Sequence, residues 1–337
     1  MNILIVKIGA IGDVVMALPM VEAIYKQSLN AKITWMCGKT AAPLLKSIER
    51  INEVIVIDES KLLTGKITEK ITVLFHAWKN LLFRKFDLIV TGHAHPGYKL
   101  LTLTAIGNKR RGFIRNAGRQ WPVPGRYHGD EYVRLITNID GPETFPAELP
   151  QFNPPLTDDL KRLLPSDNSH AVAFAPGGAR NILSDDEIRR WPLENYVALA
   201  RKLIGNGIKV IITGAESDRW ICKDFSGIGV YDLVGKTSLL ELISVYKESK
   251  AAVTHDSGLL HLAQLAGTNV IALFGPTNPY EKIPRSLNRR EILWGGEDMA
   301  CRPCYDGRNY AYCTDNICLR TVSVEMVFQA VLRALQG

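Results

Sequence analysis

Long apolar runs are missing: no stretch of the 337 residues reaches 18 uninterrupted apolar positions, which argues against a membrane-spanning helix. Met1 to Lys7 lacks the basic start, apolar centre and small-residue cleavage site of a secretory signal, so the simplest expected location is cytoplasmic. Cysteine is scarce outside one segment. Cys301, Cys304, Cys313 and Cys318 crowd together, while Cys37 and Cys222 stand alone. In a reducing compartment that spacing is no disulfide framework. Acid is nearly missing from one tract: between Lys61 and Arg126 thirteen Lys or Arg face only Glu69 and Asp87, a balance of +11 against +7 for the whole chain. The first half of the protein should therefore attract an anionic partner.

What is present is an ordinary apolar content of 46% and enough length for two domains. Residues 3–8 read as a strand, Gly9-Ala10-Ile11-Gly12-Asp13 as a glycine turn, and Val14 to Tyr25 as a helix. Further strands are expected at 31–36, 54–57 and 86–91. A stretch with five prolines, Pro142 to Pro155, reads as a linker. The alternation then restarts, with strands at 171–175, 209–213, 251–254 and 270–274, each followed by a glycine-containing or acidic turn. This pattern implies an α/β protein of two doubly wound parallel sheets, with ligands at the carboxyl edges of the strands. The expected domains are 1–155 and 168–322, two Rossmann-like units. The helix of 323–337 is a candidate to pack back on the first.

Asp256-Ser257-Gly258-Leu259-Leu260-His261 stands where a buried strand becomes a helix. The free amides and positive dipole of a helix start bind a diphosphate without a metal, and Gly258 lets it approach closely. Asp256 as a helix cap and His261 as a core histidine are the bland alternatives. Gly275-Pro276-Thr277-Asn278-Pro279 ends the adjacent strand, so two turns should face one ligand.

His255 to Ala263 together with Ala272 to Pro279 resembles the carboxyl-terminal signature of glycosyltransferase family 9, the lipopolysaccharide heptosyltransferases. Ile3 to Lys7, Gly12-Asp13-Val14-Val15, Ala175 to Arg180, Arg190-Trp191-Pro192 and Gly214-Ala215-Glu216 extend the resemblance in family order. It implies the two-domain GT-B fold and inverting transfer of a sugar, usually heptose from an ADP donor, to a lipopolysaccharide-type acceptor. Asp13 matches the family's base, which would take the acceptor proton from the first domain while Gly12 lines the acceptor side. Gly177, Gly178, Arg180 and Arg189 match the donor-side motifs, with Arg189 where the family often has Lys. Glu216 resembles the acid that holds the ribose, and Asp256, Ser257, Gly258 and His261 complete the expected donor site.

Lys109, Arg110 and Arg111, with Arg115, Arg119 and Arg126, form a tract that suits an anionic acceptor or merely a solvated face; no stacking aromatics point to nucleic acid. The basic amphipathic segment from Lys66 to Phe86 is read first as a core-facing helix, with contact to a membrane surface as an addition. The cysteine cluster leaves a structural metal open; no catalytic metal or cofactor is expected beyond the ADP-sugar donor. A nucleotide-sugar epimerase of the same architecture and a dinucleotide-dependent oxidoreductase are the rival enzymes, although the first turn is not a complete GxGxxG.

Overall fold

The computed structural model describes residues 1–113, 122–139, 145, 148–150, 153–167, 170–287, 289–305, 309–313 and 315–336. Arg115, Arg119 and parts of the proline-rich stretch lie outside the described residues. Two compact units divide the chain. The first is Met1–Phe152 with Asn181–Leu183 and Tyr280–Ser286; the second is Asn153–Arg180, Ser184–Pro279 and Leu287–Gly337.

The sheet of the first unit contains β1 (Asn2–Val6), β2 (Lys32–Gly38), β3 (Glu53–Ile57), β4 (Lys85–Thr91) and β5 (Ile106–Gly112), all parallel, in the order β3-β2-β1-β4-β5. Winding reverses between β1 and β4, which opens a crevice at their carboxyl ends. Ile3, Leu4, Ile5 and Val6 are wholly buried, as befits a strand covered on both faces. The expected helix from Val14 to Tyr25 is two helices, Ile11–Ala17 and Pro19–Gln27. Pro19 has no N–H to continue the first ladder but suits the first turn of the next helix. The Lys109-Arg110-Arg111 tract lies within β5, an edge strand none of whose residues is buried.

The second sheet contains β6 (Ala171–Ala175), β7 (Lys209–Ile212), β8 (Tyr231–Asp232), β9 (Ala251–His255), β10 (Asn269–Phe274) and β11 (Arg290–Trp294), again parallel, in the order β11-β10-β9-β6-β7-β8. Here the switch lies between β6 and β9. The final helix, Val324–Gln336, buries Val327, Phe328, Ala330 and Val331 in the second unit's core beside Leu199, Leu203 and Leu273. Its apolar stripe is used within that unit. Trp191 is locked beneath it, its Nε1–H donating to the Val322 carbonyl at 2.8 Å.

Candidate active site

Each switch point carries a cluster of polar side chains. In the first unit the turn after β1 leads into helix Ile11–Ala17, whose first turn contains Asp13 and the buried Gly12. The Lys7 Nζ donates to Asp13 Oδ2 at 2.9 Å; the lysine side chain is 4% exposed and the carboxylate 38%. Burial alone would raise the Asp13 carboxyl, but Lys7, then Lys282 and His128, outweigh it and hold it well below the usual carboxylate range. Burial would lower Lys7, yet Asp13 and Tyr132 push its ammonium above the ordinary value. Lys7 also stands over the Tyr132 ring, 5.4 Å from its centroid. The turn after β4 supplies His93, which accepts the Ile8 N–H at Nε2, 2.9 Å, and stacks on Tyr98 at 3.8 Å. Burial, helped by Lys7, drives His93 well below its usual pKa, so its ring is neutral.

In the second unit Ser257 occupies the N-cap position of helix Gly258–Leu265 but makes no side-chain cap. Asp256, expected as a possible cap, lies one residue outside and is buried. Its Oδ2 accepts from Thr277 Oγ1 at 2.8 Å and lies 3.6 Å from Arg189 Nη1, so the turn after β10, the 187–189 turn and the β9 turn converge on one carboxylate. Arg189 is held a second time by Asp186 at 2.7 Å. Gly178 lies against the Ser257 side chain: a Cβ built there would stand 3.3 Å from Ser257 Cβ, which brings the β6 and β9 turns together at the switch. Buried beneath them, Ser257 Oγ has no hydrogen-bond partner among the described residues. His261 is buried one turn along the same helix.

Two other expected donor residues are exposed and paired with neighbouring charges. Arg180 is exposed and paired with Asp185 at 2.6 Å. Glu216 begins the helical turn Glu216–Phe225 after β7, with a carboxylate 73% exposed that accepts Arg219 Nε at 3.0 and 3.1 Å. On the acceptor side, Arg110 donates to the Thr102 side chain and to the Ala105 carbonyl at 2.7 Å, and Arg111 to the Ile136 carbonyl at 2.6 Å. Both guanidinium groups tie β5 to its neighbours, Arg111 by capping the end of helix His128–Thr137. Lys109 is exposed.

Residues 125–311, more than half the chain, match the model of glycosyltransferase family 9 (heptosyltransferase). The chain belongs to that family. It is similar to lipopolysaccharide heptosyltransferase 2 of Salmonella typhimurium, 26% identical over 87% of this chain and 88% of that protein. The fold resembles Escherichia coli ADP-heptose lps heptosyltransferase II, with a TM-score of 0.74, 19% identity and coverage of 100% and 99% of the two chains. It also resembles E. coli heptosyltransferase WaaC solved with ADP-2-deoxy-2-fluoro heptose, TM-score 0.70, 18% identity, covering 99% of each. Both sheets and their order thus belong to a GT-B glycosyltransferase.

Around the switch of this family 9 enzyme the structure also gathers residues that the sequence alone did not single out. Asp218 is buried and accepts the Gly178 N–H at 3.1 Å and the Ala215 N–H at 2.9 Å, fastening the β6 turn to the β7 turn. A Cβ on Gly177 or Gly214 would fall 2.6 or 2.9 Å from Asp218 atoms, so both glycines make room for that carboxylate. Burial pushes the Tyr310 hydroxyl up; Arg189 opposes the shift and Asp256 adds to it, so this tyrosine shares the field of those two groups. His255, behind Asp256, is lowered to about 3 by burial and by Arg189 and Arg190, and its Nδ1 lies 3.3 Å from Tyr196 Oη. Tyr310 and Asp218 gave no signal in the sequence beyond their type, because neither belongs to a local motif. Among the described residues no three His, Cys, Asp or Glu side chains stand close enough together to hold a metal ion. Cys304 and Cys318 are half-buried, and burial raises both thiols.

Proposed function

We propose that the protein transfers heptose from ADP-heptose to an anionic lipopolysaccharide core acceptor with inversion at the anomeric carbon. Family membership supports the reaction class. The observation that carries the donor site is the cluster at the β6/β9 switch: a buried, unpartnered Ser257 hydroxyl at the start of helix Gly258–Leu265, beside an Asp256 carboxylate clamped by Arg189 and Thr277. The helix start, Ser257 and Arg189 take the diphosphate; Asp256 and His261 meet the sugar; Gly177, Gly178 and Gly258 allow close approach; Arg180 supplements the charge, and Glu216 holds the ribose. The transfer written this way uses no metal or other cofactor.

Asp13 is the base. The acceptor oxygen bonds to the anomeric carbon, its proton passes to the Asp13 carboxylate, and the carbon–oxygen bond to ADP breaks with its electron pair leaving on the diphosphate. A carboxylate held so acidic does not take a proton from a resting hydroxyl. It accepts one only as the attacking oxygen gains positive charge, which suits a transition state in which the leaving group has largely departed. Lys109 and Gly12 belong to the acceptor side. We place the reaction at the cytoplasmic face of a membrane carrying the acceptor; no helix among the described residues is long and apolar enough to cross one. An epimerase would need no acceptor, and nothing in the site favours that reading.

A thermal-shift panel of ADP, UDP, GDP and their sugars tests the donor. ADP-heptose should stabilise most, by about 2.7 kcal/mol at a hundredfold excess over Kd. Ser257→Ala should keep or raise the unliganded Tm, since it removes a buried unpaired hydroxyl, yet lose much of the ADP-heptose shift. Equal shifts with UDP-sugars, or a full shift in Ser257→Ala, would contradict this donor site.

A further inference from the structure

The helix Ile67–Leu81 is apolar on two faces. Val73, Ala77 and Leu81 point into the first unit's core against Leu4, Met36 and Ile57. On the other side Ile67, Ile71 and Phe75, one turn apart, form a ridge in water; Ile67 is 71% and Phe75 61% exposed. A core-facing helix needs only the first stripe. The ridge continues through neighbours fixed by hydrogen bonds. Trp78 packs edge-on to Phe75 at 5.5 Å and donates from Nε1 to the Leu100 carbonyl at 2.7 Å. The Phe83 N–H donates to the Thr104 carbonyl at 3.1 Å, and the Ile106 N–H to the Arg84 carbonyl at 2.9 Å. Leu82, Phe83, Leu100, Leu103 and Ile106 are all exposed along these seams. Phe83 has φ 55° and is 75% exposed: the backbone holds an aromatic ring in water in a conformation that favours glycine.

The charge around this face is predominantly positive. Between residues 66 and 99 six Lys or Arg stand against two acids of the same segment, and of the six Arg84 is taken up by Glu53, which accepts its Nη1–H at 2.9 Å. Of those acids, Glu69 accepts the Lys66 N–H at 2.9 Å and Asp87 the Asn2 N–H at 2.7 Å. Lys66, Lys79, Lys85 and Lys99 are exposed. We propose that this face seats the protein on an anionic lipid bilayer, with the Ile67–Phe75 ridge and Phe83 entering the interface and the lysines meeting the headgroups. An apolar centre with a cationic rim matches a surface that offers acyl chains beneath negative charge. A second copy of the same face would set lysine against lysine, and nucleic acid would leave the ridge without an apolar counterpart. The face uses no residue assigned to donor, base or acceptor, so it stands or falls separately from the transfer reaction.

Sedimentation with phosphatidylcholine vesicles, and with vesicles of phosphatidylcholine and phosphatidylglycerol in equal parts, tests it on the full chain. The protein should partition onto the anionic vesicles only, and less at high salt. Phe75→Ser with Phe83→Ser should lower that partition roughly tenfold or more. Lys79→Glu with Lys99→Glu should lower it and flatten its salt dependence. Both variants should keep the Tm and the turnover on a lipid-free acceptor saccharide. No binding to anionic vesicles overturns the proposal, as does binding unchanged in the Phe75/Phe83 variant. A solution dimer that this variant dissociates, with vesicle partition unaltered, overturns it in favour of a second copy.

Discussion

Lys7 and Asp13 form a pair in which each group strengthens the charge of the other. Asp13 is depressed, so its ion pair is intact above its ordinary carboxylate value of 3.8 and is lost only as pH falls through the lowered one. Lys7 is raised, so its share is intact below its ordinary value of 10.5 and is lost only as pH rises through the elevated one. Between about pH 4 and pH 10 the pair does not titrate. The acid limb of kcat/KM arising from Asp13 should accordingly lie below about pH 4. Lys7→Met should raise that limb by roughly one unit or more, because the largest opposing charge is gone while burial remains. A pH profile of transfer measures this, and an acid limb unmoved in Lys7→Met would show that Lys7 does not set the ionisation of Asp13. The sequence placed Asp13 through its motif. Lys7 gave no comparable signal, since a lysine at the end of an apolar strand looks like a strand terminus, and only the fold shows that its ammonium is buried beside Tyr132.

At the scale of elements, the turns after β6, β7, β9 and β10 act together because Asp218 joins the first two and Thr277 the last two. Gly177→Ala should therefore lower stability by about 1–3 kcal/mol, since the new Cβ would stand 2.6 Å from Asp218 Cγ in a well-packed turn. Gly9→Ala, where a Cβ meets nothing within 4 Å, should change stability by less than about 0.5 kcal/mol. Denaturant melts of the two variants compare them directly, and equal costs would remove the packing argument. The buried parallel strands were legible in the sequence as short apolar runs ending in glycine turns. β5 was not: Ile-Gly-Asn-Lys-Arg-Arg-Gly has no apolar alternation, and as an edge strand it needs little. β8, of two residues, is too short to show a pattern. The helix break at Pro19 leaves no mark on the apolar spacing, which continues through it.

For the whole molecule, the chain folds as two units with the same doubly wound plan. Each sheet reverses its winding once, and each reversal carries a cluster of charged groups: Lys7 and Asp13 in the first unit, Arg189 and Asp256 in the second. The sequence already contained both halves of this plan, because glycine turns after strands mark the carboxyl edge. What it did not contain was how each carboxylate is held: Thr277 reaches Asp256 from 21 residues further along the chain, and Lys7 reaches Asp13 because the turn after β1 folds the two side chains together. With proton acceptance proposed for the first unit and donor binding for the second, the two should be separable by mutation. The most direct test is calorimetry of ADP-heptose binding paired with transfer kinetics on Asp13→Ala. Donor affinity within a factor of about three of the parent, with transfer reduced by roughly a hundredfold or more, is the predicted result. Full turnover in Asp13→Ala, or loss of donor binding together with turnover, would contradict it.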